Sequence, residues 1–585
     1  MCHIPVAHLQ IPSYRTKFAD SFRNQVAAAL CVDGQDHGEH LDTCANIIAD
    51  SMHCAGNETL PVRKAVPKRP WIRNGTLELI ELRNKARVHR QTVLETSLNV
   101  AIKKSAKADR REWLDGMVHT GDWSGIKLLR RGKPTRQGRL RDSEGNLVES
   151  DVRAQTMADY LANVQWAPYA TERILPVGPS LGSVLPIITD LFKTMELRHA
   201  LKILKAGKAP GTDDILPDLW KALNDSPEAV AILLDLCNKC WIAESLPDSW
   251  YTASIATIFK KGDVSLPVNY RPISLLTVGY KVLATMVHAR IVQGGSEDRI
   301  RDSQFGFRRS RSVIDAIFIV QRLIDGAWEG RDNQLSVIFL DWSKAFDKVD
   351  PLALIEALRR FGIPEKMVKM IAGIYAKRSF IVKDQGCTSK LMDQGSGIAQ
   401  GCPLSPYLFV IMLTVVFADL EEALTTLGLQ EQWADVAYAD DVALSSSNPT
   451  VLQIVLDCLI RSASLHGLKP NWEKTVHMRS RHENDLYDPS GAPIKAVSQA
   501  TYLGSFLSAD GKADYAVGRR IGEARGALKK LQVVWSHANL TRVRKLEIFD
   551  ACIMSKLLFS LEPMCLKLKS VVVLLDSKRK RYLEC

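Results

Sequence analysis

DVAYADDVALSS (435–446) is the stretch on which the reading of this 585-residue chain turns. Two short apolar runs, Val436–Ala437 and Val442–Leu444, flank Asp440 and Asp441. The spacing predicts a β-hairpin with two carboxylates at its tip. Adjacent acids repel, and a turn needing only polarity would be better served by Asn-Gly. The pair makes sense where a divalent cation neutralises it. Neighbouring side chains of a strand point to opposite sides, so one of the two is expected to bind metal directly throughout.

Upstream lies SVIFLDWSKAFDKVD (336–350), in which a short buried strand, Val337–Leu340, runs into Asp341. A lone strand-end Asp is most often a helix cap. Taken with the hairpin, it gives three carboxylates from two strand ends. Such a set can hold two Mg²⁺ ions (or Mn²⁺) that activate a hydroxyl and stabilise departing pyrophosphate, which is nucleotidyl transfer. Between the acid segments runs GSGIAQGCPLSPYLFVIML (395–413). Gly395, Gly397 and Gly401 allow backbone to approach a flat ligand closely. Ser405-Pro406 is expected to open a core helix, as N-cap and first helical residue.

The bulk numbers agree with a large, basic, globular chain. Hydrophobic residues make up 46% and charged residues 24%, with a net charge of +12 and a pI of about 9.0. The length suits three or four domains or subdomains. The charge suits a polyanionic partner, although an acidic membrane surface would attract it as well. The twelve cysteines follow no disulfide pattern. MCHIPVAHLQIPSYR lacks the apolar core of a signal peptide, and no run is long enough to span a membrane. These features predict reduced cysteines in cytosol or nucleus and no membrane partner. Cys237-x-x-Cys240, the one close cysteine pair, falls in an expected helix without a second pair, so it reads as core and no zinc is expected. Residues 62–141 carry about 21 Lys/Arg against 7 Asp/Glu, in a helical pattern up to Asp115. Arg83, Lys85, Arg87 and Arg90, then Lys103, Lys104, Lys107, Arg110 and Arg111, form either a solvated face or a stripe that grips phosphate.

The order of motifs resembles that of the reverse transcriptases of non-LTR retrotransposons, the LINE class. KAPGTDDILPDLW (208–220), IFKKGDVSLPVNYRPISLL (258–276) and QFGFRRSRSVIDAI (304–317) precede FLDWSKAFD, QGCPLSP and YADD. GLKPNWEKT (467–475) and YLGSFLSADG (502–511) follow, and the likeness covers about residues 62–565. The resemblance implies an α+β right-hand polymerase with fingers, a palm built on a split β-α-β sheet and a helical thumb. It also implies an RNA template, a DNA primer and dNTPs as partners. It assigns metal binding and catalysis to Asp341, Asp440 and Asp441, and proton donation to pyrophosphate to Lys474. Phe346 would exclude a 2′-hydroxyl beneath the incoming sugar, Gln400 would meet the nucleotide, and Arg271, with Lys260 and Lys261, would hold its triphosphate. Arg308, Arg309 and Arg311, interleaved with Phe305 and Phe307, would face the template. Tyr502, Leu503 and Gly504 would grip the primer. Asp347 would cap or orient a turn.

The expected domains are a poorly defined segment at 1–61, a basic helical linker at 62–179, fingers and palm at 180–513, and thumb with basic tail at 514–585. A hairpin is expected near 130–146, and SKRKRY (577–582) reads as a solvated tail or an import signal. With no endonuclease recognisable, the chain reads as the polymerase part of a larger or degenerate frame. The rival reading is a folded remnant that binds nucleic acid without catalysis. An intron-type or retron polymerase fits the basic linker less well, and an RNA-dependent RNA polymerase fits Phe346 and the A-D-D tip less well.

Overall fold

A computed structural model of the chain describes residues 6–31, 40–61, 71–89, 91–119, 138–170, 173–330, 333–535 and 541–564. Arg90, residues 130–137 of the expected hairpin and the SKRKRY stretch lie outside the described residues. Two compact units divide the chain.

The first unit comprises 1–62, 137–503 and 509–511. Its strands are β1 (Thr252–Phe259), β2 (Tyr270–Leu275), β3 (Leu335–Leu340), β4 (Ser379–Asp384), β5 (Cys387–Thr388), β6 (Met392–Asp393), β7 (Ala434–Tyr438), β8 (Asp441–Ser446), β9 (Val476–Ser480), β10 (Ala496–Val497) and β11 (Gln499–Tyr502). One sheet runs β10-β9-β3-β8-β7, with β3 at its centre and every β3 residue buried. A central strand covered on both faces reads as a continuous apolar run, which SVIFL supplies. The helix Pro449–Leu465 packs on β8 and β3, and the helix Ser405–Thr426, apolar on nearly all sides, packs against it and against the helix Pro351–Phe361. An all-round apolar helix must be buried, and its Tyr407–Phe417 stretch is. This helix starts at Ser405 itself, and the Ser405 hydroxyl meets Tyr375 Oη at 3.2 Å rather than capping the turn. A second sheet runs β2-β1-β4-β5, with β6 on β4. Here β1 pairs antiparallel with β2 and parallel with β4.

The structure divides the chain differently from the sequence-based domains. The described residues within 6–61 include two helices, Pro12–Cys31 and Leu41–Thr59, packed on each other and on the helix Pro227–Ala243. Phe18, Phe22 and Met52 are fully buried there, and Arg15 pairs with Asp225 at 2.8 Å. Segment 138–179 likewise belongs to the first unit rather than to the basic linker, with Arg153 buried against Asp384. Cys237 and Cys240 are buried in the helix Pro227–Ala243, and burial pushes the Cys237 thiol up to about 12.

The second unit joins 63–136, 504–508 and 512–585. The helices Asn74–Val88 and Thr92–His119 form a hairpin, pinned where Thr76 Oγ1 donates to Asp109 at 2.6 Å. Lys85, Arg87, Lys103, Lys104, Lys107, Arg110 and Arg111 are exposed on it. Elsewhere in this unit β12 (Ser505–Ser508) precedes the helix Asp514–Lys530, whose Arg520 reaches Ser560 Oγ at 3.0 Å. The α+β class is thus the observed one.

Candidate active site

Strand register brings the acids together. Leu340 of β3 lies opposite Val442 of β8. Carrying that register one residue further sets Asp341 against Asp441, and directly opposed residues have Cβ atoms about 5 Å apart. The β7–β8 connection is a two-residue turn, Ala439-Asp440, closed by the Tyr438–Asp441 pair. Ala439 takes φ +55°, a left-handed conformation that tight hairpins demand and that disfavours a residue with a Cβ.

A clamp behind the turn holds it there. Gln304 Oε1 accepts from the backbone N–H groups of Ala439 and Gly306, both at 2.8 Å. Phe305 N–H donates to Ala437 O at 2.7 Å, and Ala437 N–H to Ser303 O at 2.9 Å. Gly306 is required by this approach, because a Cβ there would stand 2.3 Å from the Ala439 nitrogen. Sequence reasoning assigned QFGFRRSRS to the template and missed this role. The signal was present only as a Gln two residues before a Gly.

The electrostatics follow from crowding acids near cations. Asp441 is lifted to about 6 by desolvation, then by the charges of Asp440 and Asp341, with Lys474 opposing. Asp440 is raised by burial and by Asp341, with Arg271 and Lys260 opposing. Lys474 Nζ donates to Asp341 Oδ2 at 2.8 Å. Burial, then Arg271 and Lys474, holds the Lys260 ammonium below its usual value. Among the described residues, no three His, Cys, Asp or Glu side chains converge as a closed metal-binding group, and Asp341 is engaged by Lys474 instead. The donor set still fits a hard divalent cation: two carboxylates carry raised pKa values from burial and mutual repulsion, which a bound cation relieves.

The other expected residues divide. Arg271 and Lys261 are exposed, and among the described residues no acid pairs with either. Phe346 stacks on Phe409 with centroids 4.7 Å apart and meets Phe307 edge-on at 6.3 Å. The QGC loop is sewn to β2: Ser274 N–H donates to Gln400 O at 2.9 Å, and a Cβ on Gly401, at φ +129°, would lie 2.5 Å from Ser274 O. Asp347 does not cap a turn. It is buried and accepts from Gln400 Nε2 at 3.0 Å.

Of the three arginines expected at the template, Arg309 is exposed. Arg311 pairs with Asp302 at 2.9 Å and lies over the Phe305 ring. Arg308 is turned inward, donating to Glu297 at 3.1 Å and to the carbonyls of Arg301, Gln304 and Glu297. A fixed fork of donors suits such a backbone anchor. Tyr502 is buried, its hydroxyl donating to Val436 O at 3.0 Å. Leu503 takes φ +50°, and the chain passes to the second unit at Gly504.

Residues 258–507 match the family described as reverse transcriptase (RNA-dependent DNA polymerase). A Transposon TX1 149 kDa protein of Xenopus laevis is 29% identical over 57% of this chain and 27% of its own length. The RNA-directed DNA polymerase from mobile element jockey of Drosophila melanogaster is 25% identical over 66% of this chain and 43% of its own. A Pol polyprotein from the type-1 element R2 of Popillia japonica is 26% identical over 46% and 39%. The chain therefore spans less than half the length of these relatives. A solved telomerase from Candida Tropicalis covers 63% of this chain and 68% of that one at 13% identity, with a TM-score of 0.36. Motif order, palm register and family match agree: residues 258–507 match the reverse transcriptase family, and the chain is similar to the polymerases of non-LTR retrotransposons.

Proposed function

We propose that the chain is an RNA-directed DNA polymerase that transfers nucleotides from dNTPs to a primer 3′-hydroxyl on an RNA template. What supports this reading is the register that pairs Leu340 with Val442, so that Asp341 and Asp441 are the next residues of their strand ends, with Asp440 at the same hairpin tip and the cations Lys260, Arg271 and Lys474 in the same field. Asp341, Asp440 and Asp441 are the residues to hold Mg²⁺ or Mn²⁺, which when bound supplies a polarised hydroxyl and charge neutralisation on phosphate. Arg271, with Lys260 and Lys261, takes the triphosphate, since a guanidinium fork meets phosphate oxygens in pairs. Lys474 would trade Asp341 for the departing pyrophosphate and give it a proton. Phe346, backed by Phe409, excludes a 2′-hydroxyl, and Gln400 meets the incoming nucleotide. Arg309 and Arg311 face the template, and Tyr502-Leu503-Gly504 the primer. The exposed basic hairpin of the second unit gives RNA a further, salt-sensitive hold. No helix of the described residues is long and apolar enough to cross a membrane, and cytosol or nucleus is the proposed setting.

One observation favours the rival reading of a non-catalytic remnant: the ion pair between Lys474 and Asp341 in place of a closed ligand set. Extension of a DNA primer on RNA by the full chain with dNTPs and Mg²⁺ separates the two. The polymerase reading expects elongated product that chelation abolishes. Salt-dependent RNA binding without product would select the remnant.

A further inference from the structure

Asp347 is a carboxylate that the proposed chemistry does not use, yet three side chains converge on it. Gln400 Nε2 donates to Oδ2 at 3.0 Å from one side. From the other, Gln165 Nε2 donates to Oδ2 at 3.0 Å and Trp166 Nε1 to Oδ1 at 2.9 Å. Asp347, Gln165 and Trp166 are 4%, 2% and 2% exposed, so water replaces none of these bonds. The Gln165 amide has one allowed orientation, because its Oε1 accepts from Lys344 Nζ at 2.6 Å while its nitrogen faces the carboxylate. Lys344 Nζ also reaches Tyr160 Oη at 2.6 Å.

The backbone repeats the arrangement. Ile398 N–H donates to Phe346 O at 2.7 Å and Gly397 N–H to Val349 O at 2.8 Å. Gly395 N–H donates to Trp166 O at 3.0 Å, and a Cβ on Gly395 would meet Pro168 at 2.7 Å. The Trp166 ring stands edge-on to Phe380 at 4.8 Å. Segment 165–168 is thereby tied to both stretches that carry the expected nucleotide contacts, 346–349 and 395–400. It lies well ahead of the 258–507 family match and leaves its helix through a single π-helical turn, Leu161–Gln165, a distortion that gathers at functional places.

We propose that Gln165 and Trp166 are positioning residues for the incoming nucleotide: by fixing Asp347 they fix the Gln400 amide and the Phe346 ring that meet it. The proposal rests on the polymerase reading above. A carboxylate with two oxygens and three donors holds each donor's direction, and losing one frees the others to rotate. The loss should therefore appear in nucleotide recognition before it appears in chemistry.

The test is steady-state primer extension by the full chain on an RNA template, with each dNTP and its ribonucleotide, for wild type, Gln165→Met and Trp166→Phe. Gln165→Met keeps the length and removes both hydrogen bonds, and Trp166→Phe keeps the packing on Phe380 and removes one. The expected result is a dNTP KM raised about tenfold in Gln165→Met, with kcat within about threefold and the preference for deoxy- over ribonucleotide reduced about tenfold. Trp166→Phe should shift KM and preference the same way, by less, and it carries the test should Gln165→Met fail to fold. Wild-type KM and preference in the folded variants would overturn the proposal. So would a kcat that falls with the melting temperature while KM and preference stay. An inert wild type would instead overturn the polymerase reading, and this proposal with it.

Discussion

Arg271 stands on β2 opposite Ile258, exposed, with no acid of the described residues paired to it. A guanidinium left available in the field of Asp440 is arranged for an anionic ligand. Arg271→Ala should raise the dNTP KM by about tenfold or more. Arg271→Lys should recover only part, because an ammonium cannot make the paired contact. Equal KM values in all three proteins, measured in steady-state extension, would remove Arg271 from triphosphate binding. Gln304 makes a different prediction. Its two accepted backbone bonds hold the Ala439 turn, so Gln304→Leu should lower kcat on the order of tenfold or more, leave the dNTP KM near wild type, and cost about 1–3 kcal/mol in a urea melt. The acids were legible in the sequence because adjacent Asp residues at a hairpin tip are unfavourable without a cation. Gln304 was not, because its partner is a backbone group 135 positions away. Arg308 shows the same limit: alternation of basic and aromatic residues does not tell an inward arginine from an outward one.

At the scale of elements, the palm sheet carries a pH dependence. His477 of β9 lies opposite Ile338 of β3, fully buried, with Nε2 3.2 Å from Ser336 Oγ. Burial, then the charges of His482 and Arg479, holds its pKa near about 4, against about 6.5 in an unfolded chain. Between those values the unfolded chain binds the proton and the folded chain does not. The contribution is complete above about pH 6.5 and is lost as pH falls towards 4, by roughly 1.4 kcal/mol per pH unit at most. Urea melts at pH 7.5, 5.5 and 4.5 should show this loss, and His477→Asn should flatten it. A wild-type slope in the variant would assign the effect to other groups. The QGC loop adds a second element-scale expectation. Gly401→Ala places a Cβ against Ser274 O and should reduce extension by about tenfold or more while the thermal midpoint moves by only a few degrees. An activity loss that tracked the midpoint would mean general destabilisation. Strands β3, β7 and β8 were legible from short apolar runs ending in acids. The helices of 6–61 were not, because the burial of Phe18, Phe22 and Met52 depends on a helix some 200 residues later.

For the whole molecule, the family match covers 258–507, while the first unit also draws on 1–62 and 137–257 and the second is built around basic helices. With a net charge of +12, the proposed binding of RNA should weaken as salt rises. Replacing Lys103, Lys104 and Lys107 together by Glu should weaken RNA binding and shallow its salt slope by about three units, read in fluorescence titrations. An unchanged slope would make that face merely solvated. The central claim is that three aspartates brought together by β3, β7 and β8 perform RNA-directed DNA synthesis. Its most direct test measures primer extension and RNA binding side by side for wild type and the Asp440→Ala, Asp441→Ala double variant. The account predicts dNTP- and Mg²⁺-dependent extension by wild type, none by the variant, and RNA binding by both. Extension that survives in the variant, or an inert wild type that still binds RNA, would contradict it.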